Sequence, residues 1–196
     1  MTEFRKIAII GLGLIASSIC LSLRQKDPAI QIVGYDKDKE VRKRAKKIGL
    51  CEIESNIEKA VNDCKLIILC VPVGQMHPVI QKLKNFIKPG TIITDVGSVK
   101  LSVIKELEAH TENAKGKFVP SHPIAGTEKS GPDAGYAGLF EGRWCILTPT
   151  KKTNKKALKS VEIFWKFLGM QTKIMTPEHH DLVLAVTSHA PHLIAY

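Results

Sequence analysis

Short runs of consecutive apolar residues alternate along this chain with longer stretches in which apolar residues recur every three or four positions. Lys6–Ile10 is the first such run; it meets a glycine and gives way to a helical pattern from Leu14 to Arg24. Ile30–Tyr35 is a second run, closed by Asp36. A lysine-rich helix from Asp38 to Lys47 follows, with Gly49 suited to the C′ position. Further strands are expected at Leu66–Val71, Thr91–Val96 and Lys117–Pro120, with helical patterns near Gln75–Phe86 and Lys100–His110 between them. Runs without polar alternation belong to strands buried on both faces, and their alternation with helices predicts a parallel sheet covered on both sides. Later, Trp144–Leu147 reads as another strand, Thr153–Leu168 as an amphipathic helix and Gln171–Met175 as a last strand. Thr176, Pro177 and Glu178 then supply an N-cap, an N1 proline and an acidic first turn. The helix they begin is expected to run to Tyr196.

Composition narrows the class. The 196 residues are 44% hydrophobic, enough for one good-sized domain or one domain with the start of a second. The longest apolar runs fall far short of the roughly 20 residues that span a bilayer, so no membrane association is expected. The first strand begins too early for a signal peptide, which makes a cytoplasmic location the expectation. Cys20, Cys51, Cys64, Cys70 and Cys145 form no CxxC pair and are odd in number. Buried free thiols are therefore expected, with neither a metal site nor a disulfide framework. The formal net charge is +10, but the lysines are scattered and no stacking or recognition motif accompanies them, so nucleic acid is not the expected partner. The same field favours a small anionic substrate or a dinucleotide.

The first turn, IAIIGLGLIASSI, carries a GxGxxA spacing at Gly11, Gly13 and Ala16. Gly11 permits a tight turn, Gly13 lets backbone approach a pyrophosphate, and Ala16 lets the helix pack on the strand. Leu12, Leu14 and Ile15 complete the turn and the helix N-terminus, where phosphate charge is stabilised. Asp36 ends the second strand twenty residues after Ala16, where a carboxylate accepts hydrogen bonds from an adenosine ribose. Strand, turn, helix and strand together predict a Rossmann-type, doubly wound, mostly parallel α/β fold that binds NAD. Asp36 would repel a 2′-phosphate, although Arg42 and Arg44 could soften that preference. Val71 and Pro72 at the end of the third strand are expected to shape the cofactor wall. Ser98, after the fourth strand, would cap the helix beginning near Val99, offer its hydroxyl to a ligand, or do both.

His122 is placed at the end of the fifth strand, on the sheet edge where ligands of such folds bind. Alone it reads as a satisfied structural histidine. Beside a nicotinamide crevice, a neutral imidazole suits removal of an alcohol proton as hydride departs. His179 and His180 fall in the first turn of the last helix and are expected to be exposed. His189 and His192 share a face of that helix, with Pro191 between them.

The fingerprint, with DVGSVK, SHPIAGTEKSG, LTPTKKT and TSHAPHLIAY, resembles the prephenate dehydrogenases, a family that includes arogenate and cyclohexadienyl dehydrogenases. The resemblance covers the whole chain. It implies NAD-dependent oxidative decarboxylation of prephenate to 4-hydroxyphenylpyruvate in tyrosine biosynthesis. It implies that His122 takes the proton of the ring 4-hydroxyl and that Ser98 hydrogen-bonds both this histidine and the substrate. Thr127, Glu128, His189 and His192 match positions that contact substrate. Residues 1–175 would form the NAD-binding domain and 176–196 a connecting helix. The family continues into an all-helical domain that forms a homodimer and supplies a substrate-binding arginine; the 196 residues are expected to stop short of it, as a piece of a longer protein or as a naturally short chain. Two other classes remain open: a non-catalytic NAD-binding module and a different small-acid dehydrogenase.

Overall fold

The computed structural model describes residues 3–114 and 116–186. In chain order the elements are β1 (Lys6–Ile10), α1 (Leu14–Lys26), β2 (Gln31–Tyr35), α2 (Lys39–Lys47), β3 (Glu52–Ile53), α3 (Ile57–Val61) and β4 (Leu66–Leu69). There follow α4 (Met76–Leu83), β5 (Ile92–Asp95), α5 (Lys100–Asn113), β6 (Lys117–Val119), β7 (Ser121–Pro123) and β8 (Trp144–Leu147). The last are α6 (Lys155–Phe167), β9 (Gln171–Ile174) and α7 (Pro177–Leu184). Six strands form a parallel sheet in the order β3-β2-β1-β4-β5-β6. The expected doubly wound architecture is therefore present, with two short elements, β3 and α3, that hydrophobic periodicity does not reveal.

Adjacent residues of one strand serve opposite cores. Ile7 and Ile9 of β1 join Ile68 of β4, Phe164 and Trp165 of α6 and Leu23 of α1. Ala8 and Ile10 face the other way, against Leu69, Ile80 and Leu83 of α4, and Val103 and Leu107 of α5. Each fully buried Ile or Leu contributes about 1.5–3 kcal/mol relative to exposure. This two-sided burial is why β1 and β4 carry no polar alternation.

The helix ends follow local chemistry. The Asp38 carboxylate accepts the Glu40 amide at 2.8 Å to start α2, and Gly49 stands just past its end with φ +61°, a conformation that favours glycine. Thr176 accepts the His179 amide at 3.2 Å, and Pro177 occupies the first position of α7, as expected.

The second half departs from the expected picture. Pro120 has no N–H to donate, and the chain leaves the large sheet there. Residues 121–123 then form β7 in a separate three-stranded sheet, ordered β7-β8-β9. β7 runs antiparallel to β8, with His122 opposite Ile146, and β8 runs parallel to β9. His122 thus stands in the middle of a strand of the small sheet, not at the end of the fifth strand of the large one.

Candidate active site

The β1–α1 turn is shaped by its glycines. Gly11 has φ +92°, and a Cβ there would lie 2.6 Å from the Cys70 carbonyl oxygen, so no other residue fits. A Cβ on Gly13 would meet nothing within 4 Å. Its missing side chain leaves open space over the N-terminus of α1, for which Gly13 is the N-cap. Ala16 is fully buried, as the third fingerprint position requires.

Asp36 closes the same turn from β2. Its Oδ2 accepts the Leu12 amide at 2.8 Å and its Oδ1 accepts the Asp38 amide at 2.9 Å. A carboxylate has about four lone-pair sites, so two acceptor positions remain for a ligand. A cleft of about 400 Å³ opens here, lined by Gly11, Leu12, Gly13, Asp36, Val71 and Pro72 among others. These are six of the residues expected to hold the cofactor. Leu14, Ile15 and Ser98 do not line it. Tyr35 and Lys37, which flank Asp36 in the chain, and Gln75, which the fold brings there, do. The Arg42 guanidinium is engaged by the carbonyls of Asp36 and Lys37 at 2.5 and 3.1 Å, and Arg44 pairs with Asp133. The residues present fit a dinucleotide: an open glycine at a helix N-terminus and an aligned carboxylate at the neighbouring strand end.

The small sheet is tied to the carboxyl edge of the large one. Ile10, Leu69 and Asp95 fall in one row of the strand register. The Ser121 hydroxyl donates to the Asp95 carbonyl at 2.6 Å and its amide to Asp95 Oδ1 at 3.2 Å. His122 therefore sits one residue beyond that edge, half-buried.

Its Nδ1 lies 2.9 Å from Nε2 of His180, with the rings edge to face. The expectation that His180 is exposed does not hold: it is fully buried. Pro177, His180 and Leu184 form the buried face of α7, a helical spacing visible in the sequence once that face is known. His180 Nδ1 in turn lies 2.7 Å from Asp181 Oδ1. Burial, reinforced by the Lys100 charge and opposed in part by the bond to Asp181, holds the His180 imidazole below its ordinary pKa. Burial alone would raise the Asp181 carboxyl, but the amides of Lys100 and Leu101, with His180, outweigh it and hold Asp181 below the usual range.

Those two amides are the N-terminus of α5, and they donate to Asp181 at 2.7 and 3.0 Å. The capping reading of Ser98 is thereby replaced: a carboxylate from α7 caps α5, and the Ser98 side chain is exposed. Thr127 and Glu128 are exposed in the loop after β7, where the Thr127 hydroxyl accepts the Lys129 amide at 3.2 Å. His179 is exposed, as expected. His189 and His192 lie outside the described residues. The five cysteines are free, and burial pushes the Cys64 thiol up to about 11. Among the described residues no helix is long and apolar enough to cross a membrane.

Comparison with known proteins adds three findings. The family model described as prephenate dehydrogenase, nucleotide-binding domain, matches residues 19–174. A cyclohexadienyl dehydrogenase of Zymomonas mobilis is 45% identical over 100% of this chain and 67% of its own length, and a prephenate dehydrogenase of Lactococcus lactis is 34% identical over 97% and 52%. The crystal structure of prephenate dehydrogenase from A. aeolicus, in complex with hydroxyphenyl propionate and NAD+, superposes with a TM-score of 0.88 at 37% identity, covering 97% of this chain and 66% of that one. The chain thus spans from about half to two thirds of the length of these relatives.

Proposed function

The chain belongs to the prephenate dehydrogenase family, whose nucleotide-binding domain it carries, and from that premise we propose that it takes part in NAD-dependent oxidative decarboxylation of prephenate to 4-hydroxyphenylpyruvate, a step of tyrosine biosynthesis. NAD held by the Gly11–Gly13 turn and Asp36 supplies the hydride acceptor. His122 takes the proton of the ring 4-hydroxyl, and a neutral imidazole is matched to that task near pH 7. Loss of the ring carboxylate as CO2 aromatises the ring and drives the reaction forward. Ser98, Thr127 and Glu128 contribute to the substrate side, joined by His189 and His192. Residues 1–175 form the NAD-binding unit and 176–196 the connection towards the rest of the protein, through which the family's dimer is made.

One observation carries this reading: His122 is held by His180 just past the sheet edge on which the nucleotide turn lies. The test is NADH formation from prephenate and from arogenate, by the whole protein and by its His122→Asn variant. NADH from prephenate, abolished in the variant, is the expected result. NADH only from arogenate would move the substrate assignment. NAD binding without turnover of either would leave a nucleotide-binding module, and full turnover by the variant would overturn the role of His122.

A further inference from the structure

Three side chains from two elements form one hydrogen-bonded line, Asp181 to His180 to His122, with contacts of 2.7 and 2.9 Å. Each ring nitrogen in that line has its role set by the next group. Asp181 accepts amides from Lys100 and Leu101 as well as facing His180, an environment that suits the ionised carboxylate. An ionised Asp181 can only accept, so the proton between it and His180 is on Nδ1 of His180. A neutral His180 then has its lone pair on Nε2. At 2.9 Å from that lone pair, Nδ1 of His122 is the donor, which leaves the lone pair of the neutral His122 ring on Nε2.

We propose that His180 and Asp181 are positioning residues for the reaction: they fix His122 as the Nδ1–H tautomer and so assign its basic lone pair to Nε2. This rests on the reading of His122 as the proton acceptor. When Nε2 of His122 takes the hydroxyl proton, the ring becomes an imidazolium. Its Nδ1–H stays directed at the His180 lone pair, and the Asp181 carboxylate lies one ring further on. No second proton needs to move; the line supplies orientation and a stabilising field, as a carboxylate behind a catalytic histidine does elsewhere.

The surroundings favour a neutral His180. Lys100 and Asp95 form a fully buried ion pair, and among the described residues the charged groups acting on this ring are Lys100, Asp95 and Asp181, with His122 the titratable ring in contact with it. A cationic His180 would be a donor at both nitrogens and would oppose a second positive charge on His122. The lowered pKa of His180 accords with its acceptor role.

The test reads the tautomer directly. In the whole protein, labelled in histidine with the heavy nitrogen isotope, the ring nitrogen shifts at neutral pH are expected to place the proton of His122 on Nδ1. His180→Phe keeps an aromatic ring but removes the acceptor. It is expected to shift His122 towards a mixture of tautomers and to lower kcat at least about tenfold while KM for prephenate changes less than about twofold. His180→Gln, whose amide oxygen can still accept from His122, is expected to retain more of kcat than His180→Phe. The acidic limb of the pH profile of kcat, which protonation of His122 sets, should move in His180→Phe, which a merely structural defect would not cause. A wild-type His122 protonated on Nε2 overturns the proposal, even if neither variant folds. An unchanged tautomer and an unchanged pH profile in His180→Phe overturn it equally. Should neither prephenate nor arogenate be oxidised while the tautomer shift is seen, the positioning pair stands and the reaction assignment falls.

Discussion

The ammonium of Lys100 and the carboxylate of Asp95 form an ion pair from which solvent is wholly excluded. Lys100 also donates to the Ser121 carbonyl at 2.7 Å, and Asp95 accepts the amides of Gly97 and Ser121. The pair therefore joins β5, α5 and β7 at the point where the two sheets meet. Removing one partner strands the other charge in the interior. Lys100→Met is expected to cost about 3–5 kcal/mol of stability, measured by urea denaturation. Adding Asp95→Asn to that variant should recover part of the loss, since no uncompensated charge is then left. A single variant as stable as the wild type would contradict this account.

The two glycines of the nucleotide turn should separate cleanly. Gly11→Ala places a methyl against the Cys70 carbonyl at a backbone angle that L side chains rarely adopt. A loss of at least about 2 kcal/mol in thermal or urea unfolding is expected. Gly13→Ala meets no protein atom and should leave stability within about 0.5 kcal/mol. Its methyl would instead occupy the space over the helix N-terminus, so NAD affinity by calorimetry should fall about tenfold. Equal effects of both substitutions on folding would count against this division of roles.

Asp36 holds two backbone amides and lines the cleft, where the proposed function gives it the ribose. Asp36→Asn retains one oxygen acceptor but not the charge, so the Leu12 and Asp38 amides can no longer both be satisfied by carboxylate oxygens. NAD binding is expected to weaken about five- to tenfold. Discrimination against NADP should shrink in the same experiment, because the repulsion of the 2′-phosphate is gone. A variant that binds both nucleotides as the wild type does would remove Asp36 from the ribose site.

Stability should depend on pH through His180. Its folded-state pKa is depressed, burial being the main cause. In the unfolded chain the same imidazole titrates near its ordinary value of about 6.5. Above that value both states are neutral and the contribution is fully present. As pH falls through it towards the lower folded value, the unfolded state binds the proton first and stability declines. Urea unfolding between about pH 7.5 and about pH 5.5 should show this slope, and His180→Phe should lose part of it. An identical slope in the variant would mean that other groups account for it.

The cofactor half of the site is legible in the sequence because its geometry is local. Gly11, Gly13 and Asp36 lie within one strand–turn–helix–strand unit, and composition with spacing suffices to place them around one cleft. His122 is legible as a residue but not as a position, since Pro120 moves it into a second sheet whose strands are distant in the chain. His180 was hidden for a different reason. Whether a histidine in a first helical turn points inward depends on where that helix docks, and α7 docks through Asp181 against amides 80 and 81 residues away. No local pattern reports such a contact. The short β3 and α3 escape because two and five residues give periodicity nothing to act on.

The separation of these two halves along the chain bears on how the protein is made. The residues that line the nucleotide cleft lie between Ile10 and Val79. The line that orients His122 is not complete until Asp181 has been added. Synthesis proceeds from the N-terminus, and structure whose contacts are close in sequence forms sooner than structure whose contacts are remote. On the ribosome the strands and turn that receive NAD can assemble while the partners of His122 are still untranslated. The nascent chain thus has its nucleotide cleft before the line from Asp181 through His180 to His122 can close.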